Sequence, residues 1–516
     1  MTRDQIMRLP VVLFTIFAFS YVHAFRVAII GSGIGGASSA YHLARTAAVD
    51  IDIYDPEPNG RTCTTKFHGL PVDLGASIFV AANQFMMNFT QMLNLSLDFN
   101  PMNDGTVENS DGLWNGREFV WIMRDRSWYN PRDWWDKFWL GWKYGFSTMS
   151  QVKALTNRFV DDFSGLYHPK RPFSSLQEIV HDMQYSPLLT TSLREFLVYE
   201  HGINEKFVDD IVNAATRVNY AMDADVIHAL AGMVSLAPFV SPAYAIKYVG
   251  MQGLVQGLVK ASNATFYNQR VHQIERIDGS VNVNEIGEKS ECLSLSWTVQ
   301  ARHAISGMID YSNEKSQFST CGIHTTPPKY RITTTPHHAK DYDAIVLATP
   351  VHSSGINFTE GDWNEFTPLV DYTTLHVTLI RGDINPVYFN MKDVSQLPSS
   401  ILTSAEYKPD FRSLTMLSVD EHGQSFKMFS DEPLNDDLLN ELFQNISMIQ
   451  RKQWKSYPKM TPKNIQRWTA SKFILLPGLF YVNAFEPMIS TMETEAMSGH
   501  NVARLVKALA ERVEMA

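Results

Sequence analysis

The stretch FRVAIIGSGIGGASSAYHLA, residues 25–44, limits what this chain can fold into more than any other part of it. Arg26-Val27-Ala28-Ile29-Ile30 is a near-continuous apolar run, as in a central parallel strand buried on both faces. Gly31, Gly33 and Gly36 follow as GxGxxG. Gly31 permits the tight turn, Gly33 lets the backbone approach a pyrophosphate, and Gly36 lets the helix pack closely on the strand. The helix N-terminus then offers free N–H groups and a positive dipole end to the phosphates. A second strand, 51–54, ends at Asp55, nineteen residues after Gly36. A carboxylate there accepts hydrogen bonds from ribose hydroxyls and repels a 2′-phosphate. The expected class is α/β, with a Rossmann-type domain.

The chain has 516 residues, enough for a large core and more than one lobe. Its net charge of -10 gives no basic face, so nucleic acid is not an expected partner. Residues 1–24 place Arg3 and Arg8 before LPVVLFTIFAFSYV and end in Val22-His23-Ala24, the layout of a cleaved secretory signal. The apolar run is short for a membrane span. Five N-x-S/T triplets, at Asn88, Asn94, Asn263, Asn357 and Asn445, are glycosylation candidates in an exported protein. Cys63, Cys292 and Cys321 are too few for a disulfide scaffold, though Cys292 and Cys321 can pair. No cysteine pair has metal-ligand spacing and no HExxH occurs, so no metal is expected.

Further along, Asn59-Gly60-Arg61-Thr62 and Val72-Asp73-Leu74-Gly75-Ala76-Ser77 resemble the GGR-T and D-x-G-[GA]-x elements of the flavin amine oxidases and their relatives. The resemblance implies FAD, with Arg61 at phosphate or ribityl groups and Gly75, Ala76 and Ser77 beside the isoalloxazine. Gly250-Met251-Gln252-Gly253-Leu254 resembles the family's GGMxxL element, and Val271 its adenine-holding position. Residues 342–350 resemble its D-x-V-I-x-A-x-P strand. LFYVNAFEPMISTMETEAMSGHNVARLV resembles the terminal flavin element, with Glu486 at the ribityl side and Met492 in the helix facing the flavin. The implied FAD domain is discontinuous, over 25–95, 245–350 and 470–516. A helical, tryptophan-rich region (96–244) and residues 351–469 form the α+β substrate domain. Residues 300–340, rich in Ser, Thr, Pro and His, read as a long meander or loop.

Seven of the eleven tryptophans lie in 114–146, where Trp135, Phe138, Trp139 and Trp142 share one helical face. That face suits core packing, an apolar pocket wall or a membrane interface. WKYGF at 142–146, the helical stretch at 203–236, SYPKM at 456–460 and YVNAFEPMISTMETEAMSGHNVARL at 481–505 resemble the prenylcysteine oxidase family. The family implies a lysosomal or secreted FAD thioether oxidase. It cleaves S-farnesyl- or S-geranylgeranyl-cysteine with O₂ and water to cysteine, a prenyl aldehyde and hydrogen peroxide. The chain departs from the family pattern at Ala221-Met222, where Gly-Gln is expected.

The polar candidates for the cysteine end are Arg217, Asn219 and Tyr220. Arg217 suits either a bidentate pair with the substrate carboxylate or a structural salt bridge. His376 alternates with apolar residues on an expected strand and suits a core position or acid/base work. Glu493 is expected near the flavin and Glu495 in solvent. The competing readings are an amine oxidase, an idle flavoprotein carrying lipid, and a membrane-surface protein using the tryptophans. Against the first, no cysteine follows Cys321 and VHSSGINF at 351–358 holds no lysine.

Overall fold

The computed structural model describes residues 24–98, 107, 110–124, 138–139, 141–277, 329–335, 338–421, 423–462 and 470–515. The apolar run becomes the strand Phe25–Ile30, at the middle of a six-stranded sheet. Val27, Ala28 and Ile29 are fully buried, which only a strand covered on both faces achieves. The sheet runs Thr265–Tyr267, Val49–Tyr54, Phe25–Ile30, Ala344–Leu347, Leu479–Tyr481 and Ile474–Leu476. Every pairing is parallel except the last. One doubly wound sheet is thus assembled from four separated stretches of chain.

The first crossover helix, Ile34–Thr46, packs along the terminal helix, Met492–Met515. Two glycines allow the crossing. A Cβ on Gly499 would meet the Gly35 carbonyl oxygen, Ser38 Cβ at 2.9 Å and Ser39 N at 3.0 Å. Ser38 gives its hydroxyl to the Ala496 carbonyl at 2.7 Å, and Ser39 shares its own between the carbonyls of Gly35 at 2.9 Å and Gly499 at 3.2 Å, so the approach leaves these buried polar atoms satisfied.

A second, seven-stranded sheet runs Phe443–Pro458, Tyr372–Ile384, Gly423–Ser430, Ser413–Asp420, Ser400–Thr403, Ser110–Trp114 and Phe119–Arg124. It joins strands from both stretches between the Rossmann segments. Its two faces do different work. Leu375, Val377 and Leu379 meet Phe67, Val72 and Leu74 beside the Rossmann unit. Ile380, Phe426, Met428 and Trp114 form a separate core on the other side. Helices Phe146–Phe163, Leu176–Asp182, Asn213–Tyr220 and Ala229–Ser235 make a third layer. Tyr144 of WKYGF is buried there and donates to Asp210 at 2.7 Å.

The structure narrows two readings that the sequence leaves open, the meander or loop at 300–340 and the role of the aromatic face. The end of the expected loop at 300–340 is instead a hairpin, Tyr330–Thr335 against His338–Tyr342. Tyr330 and Ile332 alternate inward there, a period-two signal hidden among threonines and prolines. The aromatic face is not core: Phe138, Trp139 and Trp142 are all exposed, Trp142 by 74%. Residues 1–23, Trp135, Cys292, Cys321 and the rest of the meander lie outside the described residues. Among the described residues no helix is long and apolar enough to cross a membrane.

Gly499→Leu should therefore force two helices apart. We expect a loss of about 1–3 kcal/mol in denaturant unfolding. An unchanged midpoint would show that the crossing tolerates separation.

Candidate cofactor and substrate cavity

A cavity of about 1000 Å³ lies between the glycine loop, the helical layer and the second sheet. That is the upper end for small-molecule sites, with room for more than one ligand. At one end the loop behaves as its glycines require. Gly31 has φ +104°, and a Cβ there would meet the Ala348 carbonyl. A Cβ on Gly36 would meet the Gly31 carbonyl oxygen. Gly36 lies off the wall and acts by letting the helix close on the strand. Gly33 lines the cavity, and a Cβ there meets nothing within 4 Å. The space above Gly33 is open, as close approach of a phosphate to the backbone requires.

Asp55 also lines the cavity and is buried. Its Oδ2 accepts from Ser32 N at 2.7 Å and Ser32 Oγ at 2.8 Å, and its Oδ1 from Glu57 N at 2.9 Å. It therefore fixes the loop while keeping capacity for a further donor. Arg61 lines the cavity, donates to the Ser456 carbonyl at 2.8 Å and is ion-paired with Glu486. Glu486 itself is not on the wall. It is fully buried behind Arg61, accepting also from Tyr372 Oη and from Asn483 Nδ2 at 3.0 Å. The turn Val482–Phe485 aims it at the guanidinium, so it positions Arg61.

Gly75, Ala76, Ser77, Val271 and Met492 all line the cavity. A Cβ on Gly75 would meet the Trp454 ring at 2.8 Å, so the indole lies against this loop. Glu493 lines the cavity and holds the start of helix Gln84–Met92, accepting from Phe85 N at 2.8 Å and Met86 N at 3.0 Å. Glu495, expected in solvent, is buried and on the wall. Its Oε2 lies 3.4 Å from Asn483 Nδ2, and its buried Oε1 has no partner. An acid in a first helical turn ordinarily reads as a solvated partner of the dipole, which is why the sequence hid it. Burial pushes the Glu495 carboxyl up to about 7 against the opposing pull of Arg61. It does the same to Glu493, against the N–H groups of Phe85 and Met86.

The sheet contributes Leu375, Ser413, Thr415, Lys427, Phe429 and Trp454. Lys427 was not singled out in the sequence, where nothing separates it from a surface lysine. It is buried, and its Nζ donates to the Asp73 carbonyl at 3.1 Å. The absence of a lysine from 351–358 thus does not leave the cavity without one. The helical layer adds Phe159, Phe163, Tyr167, Asn219 and Tyr220. Tyr220 meets Tyr457 edge to face at 5.6 Å.

Several candidates lie elsewhere. Arg217 is buried off the wall, ion-paired to Asp223 at 3.0 Å, with Thr403 Oγ1 3.4 Å away, which is the structural alternative. His376 sits mid-strand, between Ser430 and Gln453, and off the wall. Phe138, Trp139 and Trp142 are also off it, so the pocket-wall reading falls for them. Asn88, Asn94, Asn263, Asn357 and Asn445 are all exposed.

A family model described as prenylcysteine lyase matches residues 125–515. The chain belongs to the prenylcysteine lyase family. Residues 29–94 match a second model, for an NAD(P)-binding Rossmann-like domain. Relatives of the family include prenylcysteine oxidase 1 of Rattus norvegicus, 27% identical over 93% of this chain and 88% of that protein. Farnesylcysteine lyase of Arabidopsis thaliana is 25% identical over 93% and 87%. Among solved structures, a fatty acid isomerase from P. acnes aligns with TM-score 0.57 at 14% identity, covering 95% of this chain and 98% of that one. Cyclohexylamine oxidase from Brevibacterium oxydans gives 0.54 at 13%, covering 95% and 100%. These two share the fold.

The residues present fit FAD. The cradle over Gly33 suits a pyrophosphate, Asp55 a ribose, and the unpartnered Oε1 of Glu495 a ligand polar group. Gly33→Ala should fold with unchanged stability yet lose FAD at least tenfold, read by flavin absorbance after gel filtration. Retained flavin would place the phosphates elsewhere.

The two glutamates also set a pH dependence. Their folded values, about 7, lie above the ordinary 4.5. The stability they contribute is complete below 4.5 and is lost as pH rises through 7. The unfolding midpoint of the apoprotein should fall across that window. Glu493→Gln with Glu495→Gln should flatten it, and an unchanged slope would contradict the assignment.

Proposed function

We propose that this chain is an FAD-dependent thioether oxidase that cleaves S-prenyl-L-cysteine. The observation that carries the reading is the continuity of the large cavity. A dinucleotide cradle and an apolar chamber are continuous within it, in a chain of this family. The balance is prenyl thioether, O₂ and water giving prenyl aldehyde, cysteine and hydrogen peroxide.

FAD, when bound, supplies the two-electron acceptor for carbon 1 of the prenyl group and passes the electrons to O₂. The chain's own residues do the rest. Gly31, Gly33 and the N-terminus of helix Ile34–Thr46 hold the phosphates, and Asp55 the ribose. Arg61, fixed by Glu486, adds positive charge beside them. Gly75, Ala76 and Ser77 leave room for a flat ring system, with Met492 and Val271 closing other parts of the wall. Phe159, Phe163, Leu375, Phe429 and Trp454 accept the tail and exclude water from the reacting carbon. Burying a farnesyl chain supplies on the order of 10 kcal/mol at about 0.8 per carbon, before ordering costs. The protein therefore needs few polar groups, chiefly to orient the thioether.

Export to a lysosomal or secreted destination belongs to the same reading. The signal-like 1–24, five exposed N-x-S/T asparagines and two glutamates that favour folding in acid support it. Peripheral membrane contact is supported by Phe138, Trp139, Trp142 and Phe146. These are exposed just before and within the helix Phe146–Phe163, whose other end lines the cavity. Such a patch would take prenylcysteine directly from the lipid phase.

The test is hydrogen peroxide release by the purified holoprotein given S-farnesylcysteine in air, with a simple amine as control. Peroxide matched one-to-one by free cysteine is expected. No peroxide from a flavin-loaded protein would favour the lipid-carrier alternative, and peroxide from the amine alone the amine oxidase.

A further inference from the structure

The cavity wall is amphiphilic in one particular place. On strand Gly423–Ser430, Lys427 and Phe429 turn one way while Phe426 and Met428 turn to the second core. Lys427 pairs with Thr415 and Phe429 with Ser413 on the neighbouring strand, and all four residues line the cavity. Leu375 and Trp454 flank them. A lysine amine and two hydroxyls thus sit side by side among Leu375, Phe429 and Trp454. Burial lowers the pKa of the Lys427 ammonium, against the opposing pull of the Asp73 charge.

A prenylcysteine presents that wall with an apolar tail and a charged amino-acid head. Its carboxylate, taken out of water, needs a cation. Arg61 is committed to Glu486. Arg270, Lys452 and Lys455 touch the cavity but are exposed. Arg217 lies off the wall, paired with Asp223. Among the described residues, Lys427 is the buried cation of the wall. Its Nζ has three donors and gives one to the Asp73 carbonyl at 3.1 Å. It also stands off the Phe429 ring, 5.2 Å from the centroid.

We propose that Lys427 is the positioning residue that holds the substrate carboxylate, with Ser413 and Thr415 as neutral donors beside it. The proposal rests on the thioether-oxidase reading. Holding the carboxylate at this point of the sheet, beside the Gly75–Ser77 loop, fixes how far the thioether can travel along the chamber. It replaces Arg217 as the group that recognises the amino-acid head.

The test compares S-farnesylcysteine with its methyl ester, using flavin-loaded wild type, Lys427→Met and Lys427→Arg. A charged hydrogen bond of the usual strength predicts a KM for the acid raised about 10- to 100-fold in Lys427→Met. The ester's KM should stay within about twofold, and arginine should restore most of the loss. Equal losses for acid and ester, or a fall in kcat at unchanged KM, would overturn the assignment. So would loss of flavin from Lys427→Met, which would make the lysine a strut for the Asp73 loop. Dissociation constants for acid and ester, read from flavin absorbance without oxygen, test the same preference. They do so even if wild type makes no peroxide, a result that would sink the underlying reading instead.

Discussion

The close approach of backbone to backbone at the glycine loop is the constraint around which the Rossmann unit is arranged. Gly36 closes on the Gly31 carbonyl, and Gly31 in turn closes on the Ala348 carbonyl. A side chain at either glycine would hold the first helix off the sheet or push two parallel strands apart. Because the contact joins residues more than three hundred positions apart, it locks separated segments into one Rossmann unit. The Gly35–Gly499 crossing repeats the device on the outer face of the helix. Between these approaches the helix N-terminus is held still, with its free N–H groups over the cavity.

What surrounds that point is electrostatically divided. Charge gathers in two places along the cavity: Asp55 at the glycine loop, and Arg61 and Glu495 on the wall with Glu486, Asn483 and Tyr372 around them. The substrate end is mostly aromatic and aliphatic, drawn from helices on one side and the second sheet on the other. Such a partition suits a reaction that consumes a lipid-like tail and needs no strong acid or base. His376, a candidate for a core position or acid–base work, and Arg217, a candidate for the substrate carboxylate or a structural salt bridge, both lie off the cavity wall, and Arg217 is ion-paired with Asp223.

The dinucleotide end was legible because its rules are local. Glycine spacing, a strand of apolar residues and an acid after the second strand each carry their own reason, and each falls where the reason requires. The substrate end was not legible for the opposite cause. Lys427 and Glu495 gain their character only when distant segments bury them, and no neighbour in sequence hints at it. Glu486 stands in a recognisable motif that places it at the cofactor, and the structure sets it off the cavity wall, paired with Arg61. The tryptophan-rich stretch shows the limit of periodicity. Spacing puts Phe138, Trp139 and Trp142 on one helical face, but only the tertiary fold says that the face looks outward.

The central claim is that one cavity brings a flavin and a prenyl thioether into reactive contact. The most direct measurement is a single turnover without oxygen, mixing flavin-loaded protein with S-farnesylcysteine and following the visible spectrum. The account predicts loss of the oxidised-flavin absorbance, with one cysteine released per flavin. An unchanged spectrum on saturating S-farnesylcysteine would contradict it.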